Sequence, residues 1–235
     1  MERAILMASG MGTRMRPVTD STPKPLVKVG EKPMIETVID GLVKRGVEEI
    51  VVVVGYLGEQ FGYLKEKYNN LKIVKNEVYE TINNISSVYA AKEYLLDCNC
   101  FICEADLYVS DPSIFQVALG GSCYYGKMVQ GHSDDWVFDQ DENGIITRVG
   151  KVGDNRYNMT GIAFFKKKDA EMLYDAIVSE YGRKGFETMF WDDVVNKHIS
   201  EFSLTIHPVN YDQIVEIDTV AELEDVRRRL GRHEG

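Results

Sequence analysis

Two glycines spaced by one residue, with arginines close behind them, mark the first place where this chain can do chemistry: Ser9-Gly10-Met11-Gly12-Thr13-Arg14-Met15-Arg16-Pro17. Glycine permits tight curvature, and a tightly curved backbone turns amide N–H groups toward an anion. Arg14 and Arg16 add guanidinium donors shaped for phosphate oxygens. Lys24 projects from Thr22-Pro23-Lys24-Pro25-Leu26, where the prolines restrict the backbone. The loop is a candidate phosphate cradle, although the glycine pair alone also fits an ordinary turn and Arg16 also fits a solvated surface arginine. It is not the dinucleotide fingerprint, because Met15 stands at the third glycine position. Nor is it a P-loop, which needs GxxxxGK followed by Ser or Thr.

Carboxylates supply the complementary half. Asp106 directly follows the apolar run CFICEA, and Glu216-Ile217-Asp218 closes another short strand. Glu216 and Asp218 are read as facing opposite sides of that strand, so only one of them is expected to face the same ligand as Asp106. Asp218 is taken as that partner, with capping of the last helix as its other reading. Mg²⁺ asks for hard oxygen ligands and bridges to substrate phosphates, so Asp106, Asp218 and a triphosphate would suffice for it.

The elements that must position these groups alternate. RAILMA at 3–8 reads as a buried strand. Residues 34–45 put Ile35, Val38, Ile39, Leu42 and Val43 on one helical face, and Gly46 ends the helix. EEIVVVVG at 48–55 reads as a central strand, 58–68 as a helix, and LKIV at 71–74 as a third strand. Asn83 or Asn84 can cap a helix through SSVYAAKEYLL, and CFICEA is the fourth strand. Helices joining parallel strands must cross over the sheet faces. The first 110 residues therefore read as a doubly wound α/β layer, with its ligand crevice at the strands' carboxyl ends.

Beyond residue 110 the pattern changes. Short strands are expected at 123–129, 136–150 and 157–165, separated by Asp, Asn and Gly turns, with a hairpin turn at Asp141–Gly144. Helices follow at 168–180 and 187–198, then a strand pair at 203–208 and 214–217. Thr219 and Glu222 form a capping box for a last helix at 219–230. With no linker in view, residues 1–235 read as one domain: a Rossmann-like, mixed but mainly parallel sheet. Its nucleotide-binding part spans about 1–110, and an antiparallel elaboration at 111–218 forms the acceptor side.

Composition bounds the partners. The 37 acidic against 27 basic side chains leave −10, which disfavours a long polyanion such as nucleic acid but not a small anion in a local basic pocket. No apolar run approaches the ~20 residues that span a bilayer, and the amino terminus lacks a signal sequence, so a cytoplasmic protein without a membrane partner is expected. Cys98, Cys100, Cys103 and Cys123 read as buried free thiols, with 98 and 100 on one strand face and 103 on the other. The four histidines show no zinc-ligand spacing. No heptad demands an oligomer, leaving monomer and homodimer both open.

Taken together, SGMGTRM, TPKPL, Gly55-Tyr56, Asp106 and EID at 216–218 resemble the sugar-nucleotide pyrophosphorylase-like nucleotidyltransferases over nearly the whole chain. Within them the chain is most similar to the bacterial CTP:phosphocholine cytidylyltransferases, through GYLGEQFGYLKEKY, the NN-x-x-S element at Asn83 to Ser87, Trp136 and FWDD at 190–193. One departure is Ala8-Ser9-Gly10, where such enzymes often carry two alanines; serine is small enough to keep the backbone path.

The resemblance implies that the glycine loop and Lys24 bind the triphosphate of CTP, that Arg14 helps activate it, and that Asp106 and Asp218 hold Mg²⁺. Arg14 and Lys24 are then the catalytic candidates. The implied nucleotide-binding set is Ala8, Ser9, Gly10, Gly12, Thr13, Arg14, Lys24, Gly55, Tyr56, Asn84, Ser87, Glu104 and Ala105. Trp136 can face a quaternary ammonium through cation–π attraction, and Asp192 and Glu216 are the acidic choices for the acceptor. In a helix over 187–198, Asp192 and Asp193 point apart, so one ligand meets only one of them. The implied reaction transfers the cytidylyl group to a small zwitterion, phosphocholine first and 2-aminoethylphosphonate as the alternative. A sugar phosphate acceptor, or a nucleotide sensor without turnover, are the readings behind these.

Overall fold

Strand β1 (Glu2–Ala8) buries Ala4, Ile5, Leu6 and Ala8, apolar on both faces as a covered central strand must be. Ala4, Leu6 and Ala8 pack into one core and Ile5 into the opposite one. In this computed structural model, which describes residues 1–233, β1 leads into a loop of short 3₁₀ turns. A small ladder of β2 (Lys28–Val29) and β3 (Lys32–Pro33) follows, then helix α1 (Met34–Arg45). Helix α1 buries Ile35, Val38, Ile39 and Leu42 as its spacing requires, whereas Val43 is exposed. Gly46, at φ 90°, ends the helix by donating its N–H to the Leu42 and Val43 carbonyls.

Strands β4 (Glu49–Val54) and β5 (Leu71–Lys75) extend the sheet in parallel, joined by a 3₁₀ turn at 58–61 and the four-residue α2 (Leu64–Lys67) in place of the expected continuous helix. Helix α3 (Ile85–Ala90) is also shorter than its apolar spacing suggests. After Ala91 a 3₁₀ turn takes over, and the Arg3 guanidinium accepts the task of satisfying the Tyr94 and Leu96 carbonyls by donating to both. The expected asparagine cap is not formed by a side chain. Asn84 Oδ1 instead accepts the distant Trp191 N–H at 2.9 Å. Strand β6 (Asn99–Glu104) then lies parallel on the other side of β1.

The second half continues the same sheet. After β7 (Leu107–Val109), β8 (Cys123–Gln140) and β9 (Ile146–Phe165) form one long antiparallel hairpin rather than three short strands. The turn at 141–145 is tied by the Asp141 carboxylate, which accepts the Asn143 and Ile145 N–H groups. The polar residues that read as further turns, Asp134, Asp135, Asp154 and Asn155, sit exposed along the hairpin, where its register shifts. Helices α4 (Lys167–Glu180) and α5 (Trp191–Lys197) cover the face holding Ile5. Strands β10 (Thr205–Pro208) and β11 (Ile214–Glu216) do not pair with each other: β10 runs parallel to β8, and β11 antiparallel to β7. Thr219 and Glu222 make the capping box of α6 (Val220–His233), their backbone N–H groups donating to each other's side chains.

The sheet order is β10-β8-β9-β6-β1-β4-β5, mixed, with β6-β1-β4-β5 wholly parallel. The chain steps outward from β1 through β4 to β5, then returns to β6 on β1's other edge. That reversal opens a crevice beyond the carboxyl ends of β1 and β6. All four cysteines are buried and free; Cys98 and Cys100 join the Ile5 core and Cys103 the other. Among the described residues no helix is long and apolar enough to cross a membrane.

Candidate active site

The crevice holds a cleft of about 580 Å³. The glycine loop leaves β1 on one side of it and Asp106 follows β6 on the other. Strand β11, paired with β7 through Glu216 opposite Leu107, carries Asp218 to the same place. The Ile217 N–H donates to the Asp106 carbonyl, so two aspartates far apart in sequence become neighbours through a three-residue strand.

Gly12 turns the loop at φ 59°, and a Cβ there would lie 2.8 Å from Lys24 Cβ. Only glycine allows the loop to press against the lysine stem in this conformation. Lys24 is buried, and its Nζ donates to Asp106 Oδ2 at 2.5 Å and to Asp218 Oδ1 at 2.6 Å. Burial acts to lower its pKa, but the charges and hydrogen bonds of Asp106 and Asp218 outweigh burial and raise it. Arg14 is exposed at the rim and donates to the same Asp218 oxygen at 2.6 Å. Loop, lysine and arginine thus present positive groups from one wall, while carboxylates converge from the other.

Those carboxylates are crowded. Burial first, and then Glu216, Asp106 and Asp192, push the Glu104 carboxyl well above the usual range. Glu216 is pushed up to about 8 by burial, then by Asp106 and Asp218. Glu104, Asp106 and Glu216 each offer an oxygen, all within 4.8 Å of one another. Such like-charge crowding favours a bound cation or retained protons.

At the far end of the cleft, the rings of Trp136 and Phe190 meet edge to face with centroids 5.4 Å apart, and the Lys151 ammonium lies over both. Asp192 is buried beside them; burial pushes its carboxyl up to about 8 even though Tyr124 Oη donates to it at 3.0 Å. Its neighbour Asp193 turns away and caps α5 by accepting the Phe190 N–H, as the helical geometry demands. Asp135 also lines this end.

The structure brings Ala8, Ser9, Gly10, Gly12, Thr13, Arg14, Lys24, Asn84, Ser87, Glu104, Asp106, Trp136, Asp192, Glu216 and Asp218 to one cleft. Glu216 and Asp218 both line it beside Asp106, against the expectation that only one of them would, because residues two apart on an extended segment share a face. Gly55, Tyr56 and Ala105 stand behind its wall instead. A Cβ on Gly55 would meet the Tyr79 ring at 2.6 Å and the Ser9 carbonyl at 2.8 Å, while Tyr56 donates its N–H to Ser9 and its hydroxyl to the Thr19 carbonyl. Both brace the glycine loop from outside. Ala105 is fully buried and donates its N–H to the Met7 carbonyl. Arg16 does not line the cleft either, pairing with Asp20. Lys151 was not legible as a site residue, because its place follows from the hairpin register, which sets it opposite Trp136. Phe190 carried a signal only as part of FWDD.

Residues 3–120 match the family model described as nucleotidyl transferase. The chain is 54% identical over 220 residues to a 2-aminoethylphosphonate cytidylyltransferase of Lancefieldella rimae, covering 94% of this chain and 89% of that protein. It is 34% identical to a choline-phosphate cytidylyltransferase of Streptococcus pneumoniae, covering 97% of this chain and 98% of the other. The solved structure of CTP:phosphocholine cytidylyltransferase from the same species superposes with a TM-score of 0.90 at 32% identity, over 97% of this chain and 99% of that one. With a glycine-rich loop set beside a carboxylate cluster, and with these likenesses, the chain belongs to the nucleotidyl transferase family as a cytidylyltransferase.

Proposed function

We propose that the enzyme transfers the cytidylyl group of CTP to 2-aminoethylphosphonate and releases pyrophosphate. The observation that carries the acceptor is the gradient of identity: 54% to an aminoethylphosphonate enzyme, against 34% and 28% to two choline-phosphate enzymes. This gradient reverses the order in which the sequence motifs alone place the two acceptors. Cleft chemistry supports it. A primary ammonium offers three N–H donors and a trimethylammonium none. The cleft supplies acceptors for them in Asp135, Asp192 and Glu216.

A phosphonate oxygen attacks the α-phosphorus of CTP in line; the new P–O bond forms as the bond to the β-phosphate oxygen breaks, and pyrophosphate leaves with that electron pair. The attacker is already an anion, so no general base is required. Positioning and charge neutralisation carry the rate. The loop amides and Arg14 hold the triphosphate, and the Lys24 ammonium offsets charge gathering on the leaving oxygens.

The donor set fits a magnesium ion. Asp106 and Asp218 converge on one cationic point, now the Lys24 ammonium, and their oxygens are the hard ligands the ion takes, with Glu216 and Glu104 alongside. Asp106 and Asp218 would hold it, and when bound it would neutralise triphosphate charge. Pyrophosphate release measured for CTP, UTP, ATP and GTP against 2-aminoethylphosphonate, phosphocholine, phosphoethanolamine and a hexose 1-phosphate tests the reading. The highest kcat/KM is expected for CTP with 2-aminoethylphosphonate; a higher value with phosphocholine or the sugar phosphate would reject it.

A further inference from the structure

The far end of the cleft is an aromatic notch that already contains a cation. Trp136 lies on β8, Lys151 stands directly opposite it on β9, and Phe190 immediately precedes α5. The two rings meet at 72°, giving a concave corner of π surface. Lys151 Nζ lies 5.7 Å from the Trp136 ring centroid and 5.5 Å from that of Phe190. Both distances are inside the ~6 Å reach of cation–π attraction. Lys151 lines the cleft, with its ammonium lying over these two rings.

We infer that Lys151 is a specificity-determining residue, whose ammonium fills the Trp136–Phe190 notch and thereby excludes acceptors that carry a trimethylammonium group. The inference rests on the acceptor class proposed above and names the element that narrows it. A trimethylammonium has no N–H, so carboxylates attract it only by charge, and π faces are the surface that recognises it best. Lys151 competes for that surface with the same sign of charge and with its own volume.

A primary ammonium has another route. It can hydrogen-bond directly to Asp135 or Asp192, which line the same end of the cleft, and leave the rings to Lys151. Discrimination then comes from a repulsive group aimed at the wrong acceptor as much as from attraction to the right one. Because Lys151 is exposed on a flexible stem, it can be displaced, and the discrimination is a matter of degree.

The test compares the parent enzyme with Lys151→Met, which keeps the length and removes the charge, and Lys151→Arg, which keeps a cation able to stack on the rings. At saturating CTP, kcat/KM is measured for phosphocholine and for 2-aminoethylphosphonate. Lys151→Met is expected to raise the phosphocholine to 2-aminoethylphosphonate ratio at least tenfold, about 1.4 kcal/mol, and Lys151→Arg to keep the parent ratio. Tetramethylammonium chloride serves as a second probe, with its inhibition constant expected to fall at least tenfold in Lys151→Met. A ratio within twofold of the parent in Lys151→Met would overturn the inference, as would an equal shift in Lys151→Arg. A parent enzyme that prefers phosphocholine rejects the proposed acceptor instead. That result is read from the parent alone, so the two failures are separable.

Discussion

The buried ammonium of Lys24 donates to Asp106 Oδ2 at 2.5 Å, across the gap between the loop after β1 and the end of β6. The same ammonium reaches Asp218, so one side chain joins the glycine-loop wall of the cleft to its carboxylate wall. Neither wall is complete without it. The lysine stem supports Gly12, and its charge offsets the repulsion between two aspartates that a three-residue strand has brought together.

Lys24→Met should therefore damage two properties at once. Loss of a charge aimed at the reacting phosphates is expected to lower kcat by about 10²–10³-fold. Removing one partner of a fully buried ion pair costs about 3–5 kcal/mol; with Asp106 and Asp218 each about a fifth exposed, roughly 1–2 kcal/mol of stability is expected to be lost. Turnover with CTP and thermal unfolding measure the two effects, and near-parental turnover would remove Lys24 from its assigned role.

Asp106→Asn and Asp218→Asn keep the side-chain shape and delete the charge. In each variant the Mg²⁺ concentration for half-maximal activity is expected to rise at least about tenfold, the equivalent of 1.4 kcal/mol of ion binding. Asp193→Asn provides a comparison, since Asp193 caps α5 away from the cluster and should leave the Mg²⁺ dependence as it is. An unchanged Mg²⁺ dependence in Asp106→Asn or Asp218→Asn would mean the carboxylate does not hold the ion.

The Asp192 carboxyl, pushed up to about 8 chiefly by burial, gives stability a definite pH slope. Between about pH 4, the ordinary aspartate range, and pH 8, the folded protein retains a proton that the unfolded chain releases. This group's contribution therefore falls as pH rises through that window, by at most about 1.4 kcal/mol per pH unit. Asp192→Asn cannot titrate but still offers an oxygen to Tyr124 Oη. It should be more stable than the parent at pH 8, with the advantage shrinking toward pH 4. Unfolding midpoints across this range decide the matter; parallel curves for the two proteins would show that Asp192 is not buried as a neutral acid.

Much of this arrangement was legible in residues alone, and the exceptions have physical causes. The parallel half of the fold follows from short apolar runs and glycine stops, so Ser9 and Asp106 could be placed at strand ends. Asp218 was legible because EID closes a strand, yet its place beside Asp106 depends on β11 pairing with β7 rather than with β10. In the hairpin, Asp134, Asp135 and Asn155 look like turn residues and are instead the wet face of a continuous ribbon. That misreading concealed Lys151, whose partner across the ribbon is fixed only by register. Gly55 and Tyr56 were read as part of the nucleotide-binding set, but they brace the loop rather than line the cleft, a difference that spacing does not encode.

The loop itself offers a last discriminating change. Gly12→Ala must hold a Cβ at φ 59°, which costs a non-glycine residue about 1–2 kcal/mol, and must place it 2.8 Å from Lys24 Cβ. That atom lies near the backbone of the proline-flanked turn at 24–26, not at the free end of a flexible chain, so the loop has to move away from the lysine. A stability loss of roughly 1–3 kcal/mol is expected, together with at least a tenfold fall in kcat/KM for CTP as Lys24 and the loop amides lose their alignment. Gly10→Ala is the matched control for stability, because a Cβ at Gly10 meets no atom within 4 Å and its φ is not left-handed. If thermal unfolding places Gly12→Ala level with Gly10→Ala, the loop does not depend on its contact with Lys24, and the coupling between cradle and carboxylates has to run through Arg14 and Asp218 instead.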